Sequence, residues 1–508
     1  MPAYNSGTAT IGNVQFNGNA GAIYNTGSII VNGLVELISA TDKITGTEGT
    51  ITVDGSSFLG ETPEVKLAID NNSDGALSGS LKASEGYRVF IDDMDLYVTN
   101  IQTISSILSD TETRFIEIDG VAYAGPSFNS LSAEALTRNS FVLNNFVNTQ
   151  RLAATSAVTI VGSGENASFQ NCSDTENYGG AIHSSATVNV KNVTFAQNTS
   201  RRGGAVCITS GNGGGTFDNV VFRENTATED LAAGLFAHSA GKLITVKNSK
   251  FIDNVGGAIY NNASTILLEK SLFSGNTSSY SSNGSVIHVA GNTSSTTISG
   301  STFSGNHGKG EVIHVNNGKV YIQAAEDGTK TVFADNTENK AILIYDGEIQ
   351  ISGTTFSNNN GAIYSNAVIK IKDSSFVTTK DSIGSGEKSV VTFDGIVELG
   401  ASVSGSGAFS VVSGAGLKFI NTGNISVANM DFNGDNTVEF AGKLVTFANQ
   451  DLSNAVITVD GSLYQGKAIT IASGVTEIDK YTINNKGDYS KLILEVDAEN
   501  NLILKENI

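Results

Sequence analysis

Apolar residues along this chain come in runs of three to six, separated by Asn, Gly and Ser. Several runs alternate, such as Thr187-Val188-Asn189-Val190 and Thr265-Ile266-Leu267-Leu268. Alternation at period two, bounded by turn residues, predicts short β-strands, and no stretch shows a helical period.

The runs repeat. A Phe-x-x-Asn unit occurs at Phe16, Phe141, Phe195, Phe222, Phe251, Phe273, Phe303, Phe333 and Phe356, and Phe169 and Phe376 hold the same place without the Asn. The intervals vary between 20 residues (Phe356 to Phe376) and 30 (Phe273 to Phe303). A few residues after the Asn comes a second unit, as in Gly179-Gly180-Ala181-Ile182, Gly203-Gly204-Ala205-Val206, Gly256-Gly257-Ala258-Ile259 and Asn360-Gly361-Ala362-Ile363. A unit of this size with several short strands cannot bury its own core but can do so by stacking on copies of itself. The pattern predicts an all-β fold, a right-handed parallel β-helix or solenoid with one repeat per coil. The handedness follows from the general bias of parallel crossovers. In that fold the Phe residues stack inside, and the Asn residues sit at a turn, tolerate the left-handed conformation and ladder between coils.

Two stretches depart from the repeat. The pattern divides the chain into residues 1–58, N-terminal coils; 59–140, degenerate coils or an inserted segment; 141–379, regular repeats; and 380–508, C-terminal coils ending in a cap. The non-repeat segment holds Tyr87, Tyr97 and the acids Asp92, Asp93 and Asp95. Ile51-Thr52-Val53-Asp54-Gly55-Ser56 recurs as Ile457-Thr458-Val459-Asp460-Gly461-Ser462, which suggests a shared coil type on both flanks. Lys491 to Val496 and Asn501 to Leu504 read as a terminal hairpin that covers an open sheet end.

Composition narrows the function. A net charge of −20 repels phosphate backbones and argues against nucleic acid as a partner. No apolar run of about 18 residues predicts a membrane-spanning helix. The first residues show no basic and apolar leader. Targeting and anchoring segments are therefore expected outside the chain. Cys172 and Cys207 are the two cysteines; their spacing is no zinc motif and leaves open whether they pair.

The pairing of Phe-x-x-Asn with Gly-Gly-Ala-(Ile/Val) resembles the chlamydial polymorphic membrane proteins and, more broadly, the passenger domains of autotransporter adhesins. The resemblance covers Phe141 to Phe376 and touches Phe16 to Asn25. It implies a β-helical passenger, secreted or displayed at the cell surface in association with the outer membrane, with an adhesive role.

Candidate chemistry is sparse. His183, His288 and His314 occupy one repeat position, shared in other coils by Tyr24, Cys207, Tyr260 and Tyr364. That column reads as a metal or ligand stripe or, since Tyr is a poor zinc ligand, as flat side chains stacked from coil to coil. His238 and His307 are isolated. Asp70, Asn72 and Asp74, followed by Gly75, match the start of a calcium loop, but position twelve is Leu81, so the bidentate carboxylate is absent. Asp431, Asn433 and Asp435 repeat the spacing. The paired acids Glu229-Asp230 and Asp92-Asp93 cannot converge, because neighbours on a strand point to opposite faces. Arg201-Arg202 is the one arginine pair, and Trp is absent. The expectation is a monomeric rod that binds a host-cell or bacterial surface protein or glycan, without enzyme activity, catalytic residues, cofactor or metal. The alternative is a polysaccharide lyase or glycosidase on the same scaffold.

Overall fold

In the computed structural model, residues 147–507 are described apart from 150, 164–165, 210, 230, 280–285, 339, 378–379 and 488. Before them, residues 3–31 are described with gaps at 13 and 17–21, then residues 34–144 almost solely as strand backbone. Among these residues there is no α-helix, and strands stack into long parallel sheets. The chain is a parallel β-helix. It divides into two compact units, Met1–Leu152 with Ser156–Gln170 and Asn189–Thr194, and Ala153–Thr155 with Asn171–Val188 and Phe195–Ile508.

In the second unit the coils contribute strands to three walls, and those past Asp431–Phe432 to two. The Phe wall includes Val221–Arg223 and Lys250–Ile252, and runs to Ala455–Asp460 and Lys480–Asn484. The Ile wall runs from Ile182–Ser184 to Ile469–Glu477, and the alternating wall from Gly214–Asp218 to Asp431–Phe432. Register keeps like beside like. Phe222, Phe251, Phe273, Phe303, Phe333, Phe356 and Phe376 are successive partners. Their rings lie parallel, 4.5 to 4.9 Å apart, and fully buried. Strand spacing of about 4.8 Å equals the stacking distance of rings, so an in-register Phe must stack.

The Asn residues form the second internal column. Each donates both its backbone N–H and its side-chain Nδ2–H to Oδ1 of the next Asn, from Asn198 through Asn225, Asn254, Asn276, Asn306 and Asn336 to Asn359. The remaining Nδ2–H bonds the Phe carbonyl of the previous coil, as Asn254 does to Phe222. The turn is made by the residue before each Asn rather than by the Asn. Gln197, Glu224, Asp253, Asp335 and Asn358 have φ of 50° to 58°. The reason is geometric: the Asn side chain must point inward to ladder, so its neighbour takes the left-handed bend. A hydroxyl ladder runs parallel, with Ser249, Ser271 and Ser301, each two residues before its Phe, accepting a backbone N–H from the preceding coil. In the Gly-Gly unit, Gly203 has φ 63°, and a Cβ on Gly204 would lie 2.5 Å from the Thr226 carbonyl, so conformation explains the first glycine and close backbone approach the second.

Past Phe376 the motifs vanish but the stack continues: Leu399, Phe419, Phe440, Val459 and Ile483 follow in register. At the C-terminal end Leu492–Val496 and Asn501–Glu506 form an antiparallel hairpin, and its second strand pairs antiparallel with Ile469–Glu477. That is the expected cap.

The first unit begins with the same construction. Thr8–Ile11, Ser28–Val31, Thr50–Val53 and Ser80–Ala83 stack in parallel, as do Val14–Phe16, Leu34–Leu37, Lys66–Ile69 and Arg88–Ile91. Pairing then turns antiparallel. Arg88–Ile91 pairs with Met94–Tyr97, and Phe115–Ile118 pairs with Val121–Tyr123 and Ser140–Asn144. Ser140–Asn144 returns to parallel pairing with Val158–Ser163. The change falls within the stretch that lacks the repeat.

Candidate binding surface on the Ile wall

Along the Ile wall, inward residues such as Ile182, Val206, Leu235, Ile259 and Ile287 fill the core. Alternation puts the next residue of each strand on the outer face. Register lines these up as His183, Cys207, Phe236, Tyr260, His288, His314, Leu343, Tyr364 and Gly384. The three histidines therefore share one column, with Phe236 and Leu343 as members the motif had not revealed.

The column packs as rings. Phe236 stacks on Tyr260 at 5.0 Å, Tyr260 meets His288 edge-on at 4.8 Å, and His288 meets His314 edge-on at 5.2 Å. His314 is fully buried, bonded through Nδ1 to Glu311 and through Nε2 to Asn316. Asn316 also reaches His288 Nε2 at 3.0 Å, while His288 Nδ1 is buried without a partner. Burial first, and the adjoining His314 second, push the His288 ring down to about 3, so it is neutral. Burial pushes the Tyr260 phenol up. Among the described residues no three His, Cys, Asp or Glu side chains are placed to hold a metal ion, and no helix is long and apolar enough to cross a membrane.

Other candidates fall elsewhere. Glu229 accepts from Arg201 Nε and, at 2.7 Å, from Arg202 Nε, and Arg202 lies 5.3 Å from the Tyr178 ring centre. The Arg201 bond, ahead of the other causes, holds the Glu229 carboxyl below its usual range. This is an ion pair between neighbouring coils. Cys172 and Cys207 are buried and not joined by a disulfide; Cys172 takes the ladder position and donates its N–H to Asn198. His238 and His307 are exposed. Asp431 lies on the strand Asp431–Phe432, Asn433 bonds the Val411 carbonyl and Asp435 has φ 49°, so the run is a strand end followed by a turn. Asp70, Asn72, Asp74, Tyr87, Asp92, Asp93 and Asp230 lie outside the described residues, and Asp95 and Tyr97 are described only as strand backbone.

The outer face changes character at its lower coils. Tyr345, Asn366 and Gly386 each lie one residue past the paired Ile344, Ser365 and Ser385. Side-chain bulk falls from Tyr364 to Gly384 in one column and from Tyr345 through Asn366 to Gly386 in the next. The result is an open groove of about 560 Å³, bordered by Tyr345, Tyr364, Asn366, Gly386, Glu387 and Lys388. The sequence offered one signal, the replacement of Tyr by Gly at the register position, and only strand pairing reveals it.

The chain matches no known protein family, curated protein or solved structure. Its function is therefore argued from this geometry and from the repeat.

Proposed function

We propose that the chain is an adhesin-like passenger, secreted or displayed at the cell surface, that binds a protein or glycan of a host or neighbouring cell. One observation carries the reading. Residues that recur from coil to coil point inward as the Phe and Asn columns, whereas the outer Ile-wall column changes identity at almost every coil, covered at Cys207, Phe236, His288, His314 and Leu343 and partly open at His183, Tyr260 and Tyr364. A scaffold with a constant interior and a varied outer wall presents recognition chemistry without cost to its core. The likeness of the repeat to autotransporter passengers points the same way, and the net charge of −20 argues against nucleic acid as the ligand.

The test is direct. The purified chain is labelled and titrated onto host and bacterial cells, and in parallel incubated with polysaccharides while reducing ends and unsaturated products are assayed. Saturable cell binding without product supports the proposal. Turnover that disappears in a carboxylate variant such as Glu387→Gln would replace it with the polysaccharide-processing reading.

A further inference from the structure

We infer that the groove beside Tyr345 is a saccharide-binding site. The inference rests on the reading of the chain as a binding scaffold and names the ligand class and place.

Tyr364 fits against Gly384, where an added Cβ would lie 2.9 Å from the ring. The Asn366 side-chain oxygen occupies the space over Gly386, 1.7 Å from where a Cβ would stand, and the Tyr364 hydroxyl is 3.5 Å from the same point. Two polar groups thus converge above a glycine floor. The exposed turn at Glu387 and Lys388 adds an acceptor and a donor at the rim. Tyr345 completes the border. It leans on His314 on one side, with ring centres 5.3 Å apart, yet remains 53% exposed. An aromatic ring held from behind and left open is costly to hydrate and pre-ordered for stacking.

These groups suit a sugar. A pyranose presents a face of C–H groups to an electron-rich ring and an edge of hydroxyls to mixed donors and acceptors. The groove volume falls in the range of roughly 300–1,000 Å³ typical of small-ligand sites. A peptide anchor would need a deep apolar pocket or a free strand edge. This border is largely polar, and the strands behind it are paired on both sides. A phosphorylated ligand is disfavoured by the chain's negative charge.

The experiment is a glycan array probed with the fluorescently labelled full chain, together with Tyr345→Ala, Tyr345→Phe and Gly386→Val. Thermal melts confirm that each variant folds; Tyr345 and Gly386 lie outside the core, and Glu387→Ala on the exposed turn gives an independent variant. The expected result is retention of a defined subset of saccharides. Tyr345→Ala and Gly386→Val each lower apparent affinity at least tenfold, Glu387→Ala lowers it several-fold, and Tyr345→Phe stays within about threefold. Retention of no saccharide, or equal retention by Tyr345→Ala and Gly386→Val, overturns the inference. If saccharides fail while cells still bind the chain, the sugar site falls and the adhesin reading stands. If neither binds, both fall.

Discussion

The coils from Phe195 to Phe376 and those from Ile396 to Ile483 share the Phe and Ile walls, while the alternating wall ends at Asp431–Phe432, and their interiors are held differently. In the first set, seven Phe–Phe stacks and the unbroken Asn ladder run through the core. In the second, the inward column mixes Leu399, Phe419, Phe440, Val459 and Ile483, and buried polar side chains act singly. Gln450 brackets the Met430 backbone, and Asn436 donates to the Val412 and Ala415 carbonyls while its own Oδ1 lacks a partner. Strand pairing and burial are therefore sufficient for the fold. The motif adds a repeated polar and aromatic spine on top of them.

The largest expected effect breaks that spine. Phe251→Ala should cost about 3–5 kcal/mol, through lost burial and the cavity left behind. Phe251 has a parallel ring on each side, at 4.5 and 4.8 Å, whereas Phe440 has one parallel ring, Phe419 at 5.5 Å, and a more distant edge-on ring, Phe447 at 6.4 Å. Phe440→Ala should therefore cost less, by up to about 1 kcal/mol, since its two ring contacts are longer. Denaturant melts of both variants check this; a loss under about 1 kcal/mol for Phe251→Ala would mean that its ring is not enclosed. In a solenoid the loss spreads to neighbouring coils before it reaches the whole chain.

The next effect is a pH dependence centred on His288. Unfolded, His288 titrates at the ordinary histidine value of 6.5, and folded at about 3. Between those values the unfolded chain holds the extra proton, so stability is full above about pH 6.5 and falls as pH drops toward 3. At pH 5 the loss should be about 2 kcal/mol. Comparing melts at pH 7 and pH 5 for the native chain and His288→Gln isolates the effect: the variant should lose this share of the dependence. An unchanged slope would show that protonation of His288 is not penalised by its surroundings.

Comparable in size is removal of one ladder rung. Asn254→Ala leaves the Asn225 N–H and the Phe222 carbonyl without their side-chain partner, for about 1–3 kcal/mol. Asn436→Ala should cost less, because no ladder depends on it. Equal losses for the two would mean that the ladder adds nothing beyond single hydrogen bonds.

How much of this could be read from the residues follows from the same contrast. Phe251 and Asn254 were legible because stacking and laddering demand one residue type at one position, and the demand recurs. Leu399 and Val459 were not, because any apolar side chain satisfies a column that only excludes water. The left-handed corner was hidden for a different reason: Gln197, Glu224, Asp253 and Asn358 share a backbone angle, not a side-chain chemistry. The histidine column was visible as a repeat position, but its burial was not, since His314 is covered by groups such as Glu311 and Asn316 that follow no repeat. The groove beside Tyr345 was the least legible, being made by side chains that Gly384 and Gly386 lack.

The central claim is that the repeated Asn residues hold successive coils together from within. Residue-resolved hydrogen exchange on the native chain tests it most directly. The backbone amides of Asn225, Asn254, Asn276, Asn306 and Asn336 lie at turns, yet each donates to a buried side-chain oxygen at 3.0 to 3.2 Å. The account predicts that they exchange as slowly as the amides of the adjoining Phe strands. Exchange at the rate of exposed turn amides would contradict it.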